Sequence, residues 1–214
     1  MSAKWKLAQW LELRWWRRYL GPKNKADYYH WKRNYWNALL HQIGEPWYPG
    51  PQQHIVDFGC GPAGIFIAFP KHQVTAVDPL LDAYSQQLTM FQPTDFPNVN
   101  FINSTLEDAS LPRVYDVAYC MNAINHVRDM EVAMANLVRT VRKKGIVVVS
   151  IDAHRNGLFK YLFRMIPGDA LHPHQCDEAE YRALLERHGI KIEKSMETER
   201  NFFFRHVVLV GSVD

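Results

Sequence analysis

No tryptophan occurs after position 47 of this 214-residue chain, although seven stand at or before it. Acidic residues are few in that opening stretch. Residues 1–48 hold nine Lys or Arg against Glu12, Asp27 and Glu45, a balance of +6, so the total of +3 leaves 3 − 6 = −3 for the rest. The chain is thus a basic, aromatic segment followed by a slightly acidic body. Cysteine is rare and odd in number, with Cys60, Cys120 and Cys176 far apart. That pattern implies no paired disulfide framework and leads us to expect a reducing compartment. No apolar run approaches the roughly 20 residues that span a bilayer. The apolar core of a signal peptide is missing too, because Lys, Arg and Trp interrupt the N-terminus. A soluble, cytoplasmic protein is the expectation. With 47% hydrophobic and 22% charged residues, disordered and fibrous classes are excluded.

What is present divides into a helical cap over residues 1–48 and a body over 49–214. Ala8, Leu11, Trp15 and Tyr19 recur at helical spacing until Gly21-Pro22 stops them. Asp27 is the expected N-cap of a second helix, which presents Tyr28, Trp31, Tyr35, Trp36, Leu39 and Ile43 and ends at Gly44 before Pro46. From His54 strands and helices alternate. The strands are Ile55 to Phe58, Val74 to Asp78, Val99 to Ile102, Tyr115 to Met121 and Ile146 to Ile151, with a clear helix from Met130 to Val141. That alternation predicts a parallel sheet covered by helices on both faces. An irregular stretch follows Asp152, then a helix near Glu178 to His188. Two strands without a helix between them, Ile190 to Met196 and Phe203 to Val210, predict an antiparallel edge.

The densest motif is Asp57-Phe58-Gly59-Cys60-Gly61-Pro62-Ala63-Gly64, where a strand is expected to meet a helix, with Asp78 ending the next strand. Glycines there allow a tight turn and close approach to a ligand, and Asp78 is placed to accept from ribose hydroxyls. A dinucleotide would bring a pyrophosphate to this turn. Asp57 repels a pyrophosphate and suits the cationic ammonium and sulfonium of S-adenosylmethionine.

From about Gln53 to Val210 the chain resembles the class I S-adenosylmethionine-dependent methyltransferases, in the small-molecule group that includes the ubiquinone/menaquinone-type enzymes. The resemblance rests on the glycine motif, Val77-Asp78-Pro79, Leu106-Glu107-Asp108, Tyr115-Asp116-Val117-Ala118, Asn125-His126-Val127-Arg128-Asp129 and Lys144-Gly145. It implies an α/β, Rossmann-like seven-stranded sheet of order 3-2-1-4-5-7-6 with strand 7 antiparallel. Asp57, Gly59 and Gly61 would then contact the methionine end of the cofactor, Cys60 through its backbone only, and Asp78 the ribose. Pro79 and Leu80 would pack near the adenine, Leu106 and Glu107 would border it, and Met121 and Asn122 would line the sulfonium region. Pro62-Ala63 departs from the usual small or polar residue after the second glycine and stiffens the turn.

His126, just after the fourth strand, is the candidate general base, because an alcohol or phenol nucleophile gains from a base poised near neutral pH. His154 and the His172-Pro173-His174 stretch are candidates for acceptor contact. His172, His174, Cys176 and Asp177 raise a metal site, but zinc favours wider ligand spacings, and no metal is expected. Asn122-Ala123-Ile124-Asn125 stands where DNA amino-methylases carry Asn-Pro-Pro-aromatic, which points to a small-molecule acceptor, O-methylation ahead of N- or C-methylation. Two alternatives remain: an RNA-directed enzyme that uses the basic aromatic segment, and a non-catalytic cofactor-binding subunit. For the N-terminal helices a lid built on Tyr28, Trp31 and Tyr35 is preferred. Contact of the first helix with a membrane surface, through Arg14, Arg17 and Arg18 beside Trp15 and Trp16, is the second reading.

Overall fold

A computed structural model describes residues 3–154, 174, 176–200 and 204–214. Two helices, α1 (Ala3–Leu20) and α2 (Lys25–Ile43), precede β1 (Ile55–Phe58), β2 (Val74–Asp78), α3 (Leu81–Gln87), β3 (Val99–Asn103) and β4 (Tyr115–Met121). Then come α4 (Met130–Thr140), β5 (Val141–His154), α5 (Glu178–Arg187), β6 (Ile190–Arg200) and β7 (Phe204–Val213). The strands form one seven-stranded sheet of order β3-β2-β1-β4-β5-β7-β6. Strands β1 to β5 pair in parallel, and β7 runs antiparallel to both β5 and β6. This is the expected topology. Strands β1 and β2 are buried at every position, which is why they read as continuous apolar runs rather than alternating ones.

Two expected boundaries shift. The N-cap of α2 is Asn24, whose side chain accepts from the amides of Ala26 and Asp27; Asp27 lies inside the first turn, where its charge still suits the helix dipole. Val141 leaves α4 and opens β5, since it pairs with Tyr115 ahead of an irregularity in the β4–β5 ladder. Of the expected final strand, Phe203 lies outside the described residues.

The larger departure follows β1. The expected helix is replaced by two 3₁₀ turns, Gly61–Ala63 and Ile65–Ala68. Gly64 between them is extended, and a Cβ there would lie 2.4 Å from Asp57 Oδ2 and 2.5 Å from the Cys60 carbonyl. Pro70 sits just downstream and disfavours helical backbone at Phe69. In an α-helix the Phe66 amide would bond the Pro62 carbonyl and the Ile67 amide that of Ala63. Here the Phe66 amide donates to Asp57 Oδ2 at 3.1 Å and the Ile67 amide to the Gly64 carbonyl at 3.3 Å.

Helix α2 supplies the missing donors. Tyr29 Oη donates to the Pro62 carbonyl at 3.1 Å, Trp36 Nε1 to Ala63 at 3.1 Å, and Arg33 Nε to Ile67 at 3.2 Å. Tyr28, Trp36, Leu39, Leu40 and Ile43 of α2 belong to the same buried cluster as Ile55, Val74 and Phe66. At its far end, Lys194 Nζ of β6 donates to the Gln42 and Ile43 carbonyls at 2.9 and 2.8 Å, capping the helix C-terminus with a cation. The core therefore runs across residue 48 without a break.

Trp36→Phe keeps an aromatic ring, though a smaller one, and strands the buried Ala63 carbonyl. It should lower stability by about 1–3 kcal/mol in urea unfolding, the cost of an unsatisfied buried polar group. A change within a few tenths would show that the tie to α2 contributes nothing.

Candidate functional site

One cavity opens at the carboxyl ends of β1, β2 and β4. Its wall draws on the glycine turn (Asp57, Gly59, Cys60, Gly61), on Asp78 and Pro79 after β2, and on Leu106 and Glu107 after β3. Met121, Asn122 and His126 close it after β4, and Ser150 and His206 border it from β5 and β7. The sheet switches direction of travel between β1 and β4, the place where open α/β sheets hold ligands.

Backbone geometry at the rim is specialised. Gly59 has φ 67°, and a Cβ there would lie 2.2 Å from that of Ala123, so the turn and the loop after β4 touch only because this residue is glycine. Asn122 has φ 53°, a left-handed conformation placed where the chain leaves β4 for the cavity.

The carboxylates are deeply buried. Asp57 is 1% exposed and Asp78 is 5% exposed. Asp78 Oδ2 accepts from the Gly61 amide at 2.9 Å, and Oδ1 from the Leu80 amide at 2.8 Å. Burial pushes both acids up to about 7, with a nearby carboxylate adding to it: Asp78 for Asp57, and Glu12 for Asp78. Burial likewise raises Glu12, which reaches the cavity from α1, accepts from Tyr84 Oη at 3.2 Å and takes a further hydrogen bond from Trp16. Glu107 Oε1 accepts the amides of Arg128 and Asp129 at 2.7 and 3.2 Å, fixing the loop after β4.

This arrangement selects the ligand's charge. The amides of Gly59 and Cys60 both donate to the Val77 carbonyl, at 2.7 and 3.2 Å, and that of Gly61 to Asp78. No α-helix begins here to offer further amides or a dipole. A pyrophosphate thus finds its donors spent. Asp57 Oδ1 and Glu107 Oε2, in contrast, are buried with no hydrogen-bond partner among the described residues. Two acceptors without donors, in a wall with four carboxylates, fit a cationic ligand that also carries amine groups. S-adenosylmethionine has that chemistry.

Residues 28–195 match the family described as a methyltransferase domain. The chain belongs to that family. It is 29% identical over 116 residues to a ubiquinone biosynthesis O-methyltransferase of Rickettsia bellii, an alignment covering 53% of this chain and 48% of that protein. The chain thus spans about half the length of the curated relatives it matches. In fold it is similar to the YcgJ protein of Bacillus subtilis, with TM-score 0.64, 15% identity and coverage of 83% of this chain and 98% of that one. It is also similar to a 1,6-didemethyltoxoflavin-N1-methyltransferase of Burkholderia thailandensis solved with S-adenosylhomocysteine, with TM-score 0.59, 18% identity and coverage of 86% and 79%. The fold shared with these neighbours is the seven-stranded, Rossmann-like methyltransferase fold.

Most expected cofactor residues line the cavity. Leu80 does not: its amide serves Asp78 and its side chain lies in the core. The expected acceptor contacts fare differently. Tyr28 is buried against Tyr19 and Tyr29, and Trp31 points outward at 51% exposure, so neither reaches the cavity; Tyr35, one turn on, does. His174 stands outside the wall, its Nε2 donating to the Val127 carbonyl at 2.8 Å, so it braces the turn that carries His126. His154 is a β5 residue paired with Phe204, and its side chain, like all of His172, lies outside the described residues.

The sequence did not single out Glu12, Lys32, Ser150 or His206. Lys32 is mostly buried, its Nζ 4.4 Å from the ring centroids of both Tyr35 and Trp36, and desolvation lowers it to about 8. Trp5, Ala8, Glu12, Trp15 and Trp16 make α1 the cover of the cavity. It is pinned at one end by Arg128 over the Trp5 ring and further along by Glu12 on Tyr84.

Two outcomes follow. Asp57→Asn keeps the acceptor for Phe66 but removes the charge, and should weaken S-adenosylmethionine by about 1.5–3 kcal/mol in calorimetry; undiminished affinity would contradict the assignment. Acids raised by burial contribute stability that is complete below their ordinary pKa near 3.8 and lost as pH rises through about 7. Glu12→Gln removes one charge from this group, so at pH 8 without cofactor the variant should melt about 2–4 °C above the parent. The gap should close near pH 4, where Glu12 is protonated; a gap independent of pH would show that Glu12 does not share the carboxylates' field.

Proposed function

We propose that this protein transfers a methyl group to a hydroxyl of a small-molecule acceptor. S-adenosylmethionine supplies an electrophilic sulfonium methyl. The chain's own task is to hold the acceptor, exclude water and take up the hydroxyl proton.

The observation that carries the O-methylation reading is a second imidazole on the cavity wall. His206 Nδ1 lies 3.0 Å from Asp152 Oδ1. A carboxylate there accepts from Nδ1–H, which fixes the tautomer, leaves Nε2 as the basic nitrogen and stabilises the imidazolium once a proton arrives. An N-acceptor that is already nucleophilic has little use for such a pair. His206 belongs to a cluster at the β5–β7 edge. Tyr35 feels the charges of Asp152 and Glu199, and Lys32 feels that of Glu199. Tyr35 and Trp36 offer aromatic surface to an aromatic or unsaturated acceptor, with the Lys32 ammonium beside them. The name of the Rickettsia relatives, which specifies O-methylation, supports the same chemistry.

His126 remains the alternative base, since it also lines the cavity. In this reading residues 1–48 serve as the wall and cover of a cofactor-binding body, with α1 excluding water.

The test is incubation with methyl-labelled S-adenosylmethionine and a panel of simple phenols and catechols, followed by mass identification of the product. O-methylation is expected; label found only on nitrogen or carbon would contradict it. His206→Gln should lower the single-turnover rate by about 10²–10⁴ with cofactor affinity kept, and remove the acidic limb of the pH–rate profile. That loss in His126→Gln instead would assign the proton to His126.

A further inference from the structure

Helix α1 has two faces of opposite character. The inner one, Trp5, Ala8, Glu12 and Trp16, lines the cavity and holds the helix's single acid. The outer face is basic and aromatic. Leu7 and Trp10 are about half exposed, at 50% and 52%, and Lys6, Arg14, Arg17 and Arg18 are exposed among them. None of these four cations has a carboxylate partner among the described residues. Arg14 stacks over the Trp10 ring at 5.4 Å. Trp10, Leu13, Arg14, Arg17 and Arg18, with Gln87 at the end of α3, line a crevice, so three guanidinium groups converge on one opening.

A helix that only needed solvation would not turn a tryptophan and a leucine to water beside four unpaired cations. Indole rings are at home at the headgroup level of a bilayer, and guanidinium forks match phosphate oxygens in pairs. Charge of one sign, apolar anchors on the same face and no acid among them are the features of a helix that lies in an anionic interface.

We propose that the outer face of α1 docks on an anionic phospholipid surface. The arginine-lined crevice receives phosphodiester headgroups, and Leu7 and Trp10 enter the interface. Because the inner face of the same helix is the cavity wall, docking sets the cavity about one helix diameter, roughly 10 Å, from the lipid. The inference stands apart from the O-methylation reading, since it requires no turnover.

The experiment is flotation of the full-length protein with vesicles of phosphatidylcholine alone and of phosphatidylcholine with phosphatidylglycerol, at low and high salt. Binding is expected only to the anionic vesicles and should weaken with salt. The double variant Arg14→Glu/Arg17→Glu should lose about tenfold or more in vesicle affinity, and Trp10→Ser should weaken it as well. S-adenosylmethionine affinity, read by calorimetry, should be unchanged in both, which shows that they are folded. Three results would overturn the proposal: no flotation with anionic vesicles, equal flotation of the charge-reversed variant, or binding of single-stranded RNA at that face with no flotation.

Discussion

Two backbone carbonyls, those of Pro62 and Ala63, decide how the N-terminal helices belong to this molecule. The segment after β1 does not form an α-helix, because Gly64 is pressed against Asp57 and Cys60 and because Pro70 closes the segment. Its amides turn to Asp57 and Gly64, and Tyr29 and Trp36 of α2 take the carbonyls. A buried acceptor without a donor is costly, so α2 is bound to the sheet by more than apolar contact. Once α2 is placed, Lys32, Tyr35 and Trp36 face the cavity, and α1 is led back across its mouth.

The same departure shapes the cofactor site. An α-helix after the glycine turn would aim free amides and a positive dipole at the ligand, the device that holds phosphates. Here the turn's amides serve Val77 and Asp78, and what is left unsatisfied is carboxylate oxygen. Local geometry and charge therefore agree on a cationic ligand. Burying carboxylates in one wall is expensive by itself, and a bound cation offsets that cost; binding and the protonation of Asp57, Asp78 and Glu12 are consequently linked.

The frame was legible in the sequence because it is written in local signals. Val74 to Asp78 and Ile146 to Ile151 are β-branched runs that suit a sheet buried on both faces, and the two acids flanking the glycine turn mark the cavity end of β1 and β2. The 3₁₀ segment was not legible: the role of Gly64 depends on an Asp57 oxygen seven residues away in sequence and 2.4 Å from where its Cβ would be. Nor was the Asp152–His206 pair, which is made by the antiparallel β5–β7 register that sets these two residues opposite each other. The aromatic stripe of α2 misled in a different way. Its period is helical throughout, yet Tyr28 and Trp31 face away from the cavity while Lys32, whose long apolar stem hides among rings, faces into it. Which side of a helix meets a cavity is settled by tertiary placement, and periodicity alone carries no record of it.

The claim that α2 is part of the sheet's own core can be measured by native-state amide hydrogen exchange. If the side-chain ties to Pro62, Ala63 and Ile67 hold as described, the central amides of α2 exchange with the same free energy and denaturant dependence as those of β1 and β4. They would then open only with the whole domain. Exchange of α2 through a separate, low-energy opening while β1 and β4 stay protected would contradict the account and make the helix a detachable cover.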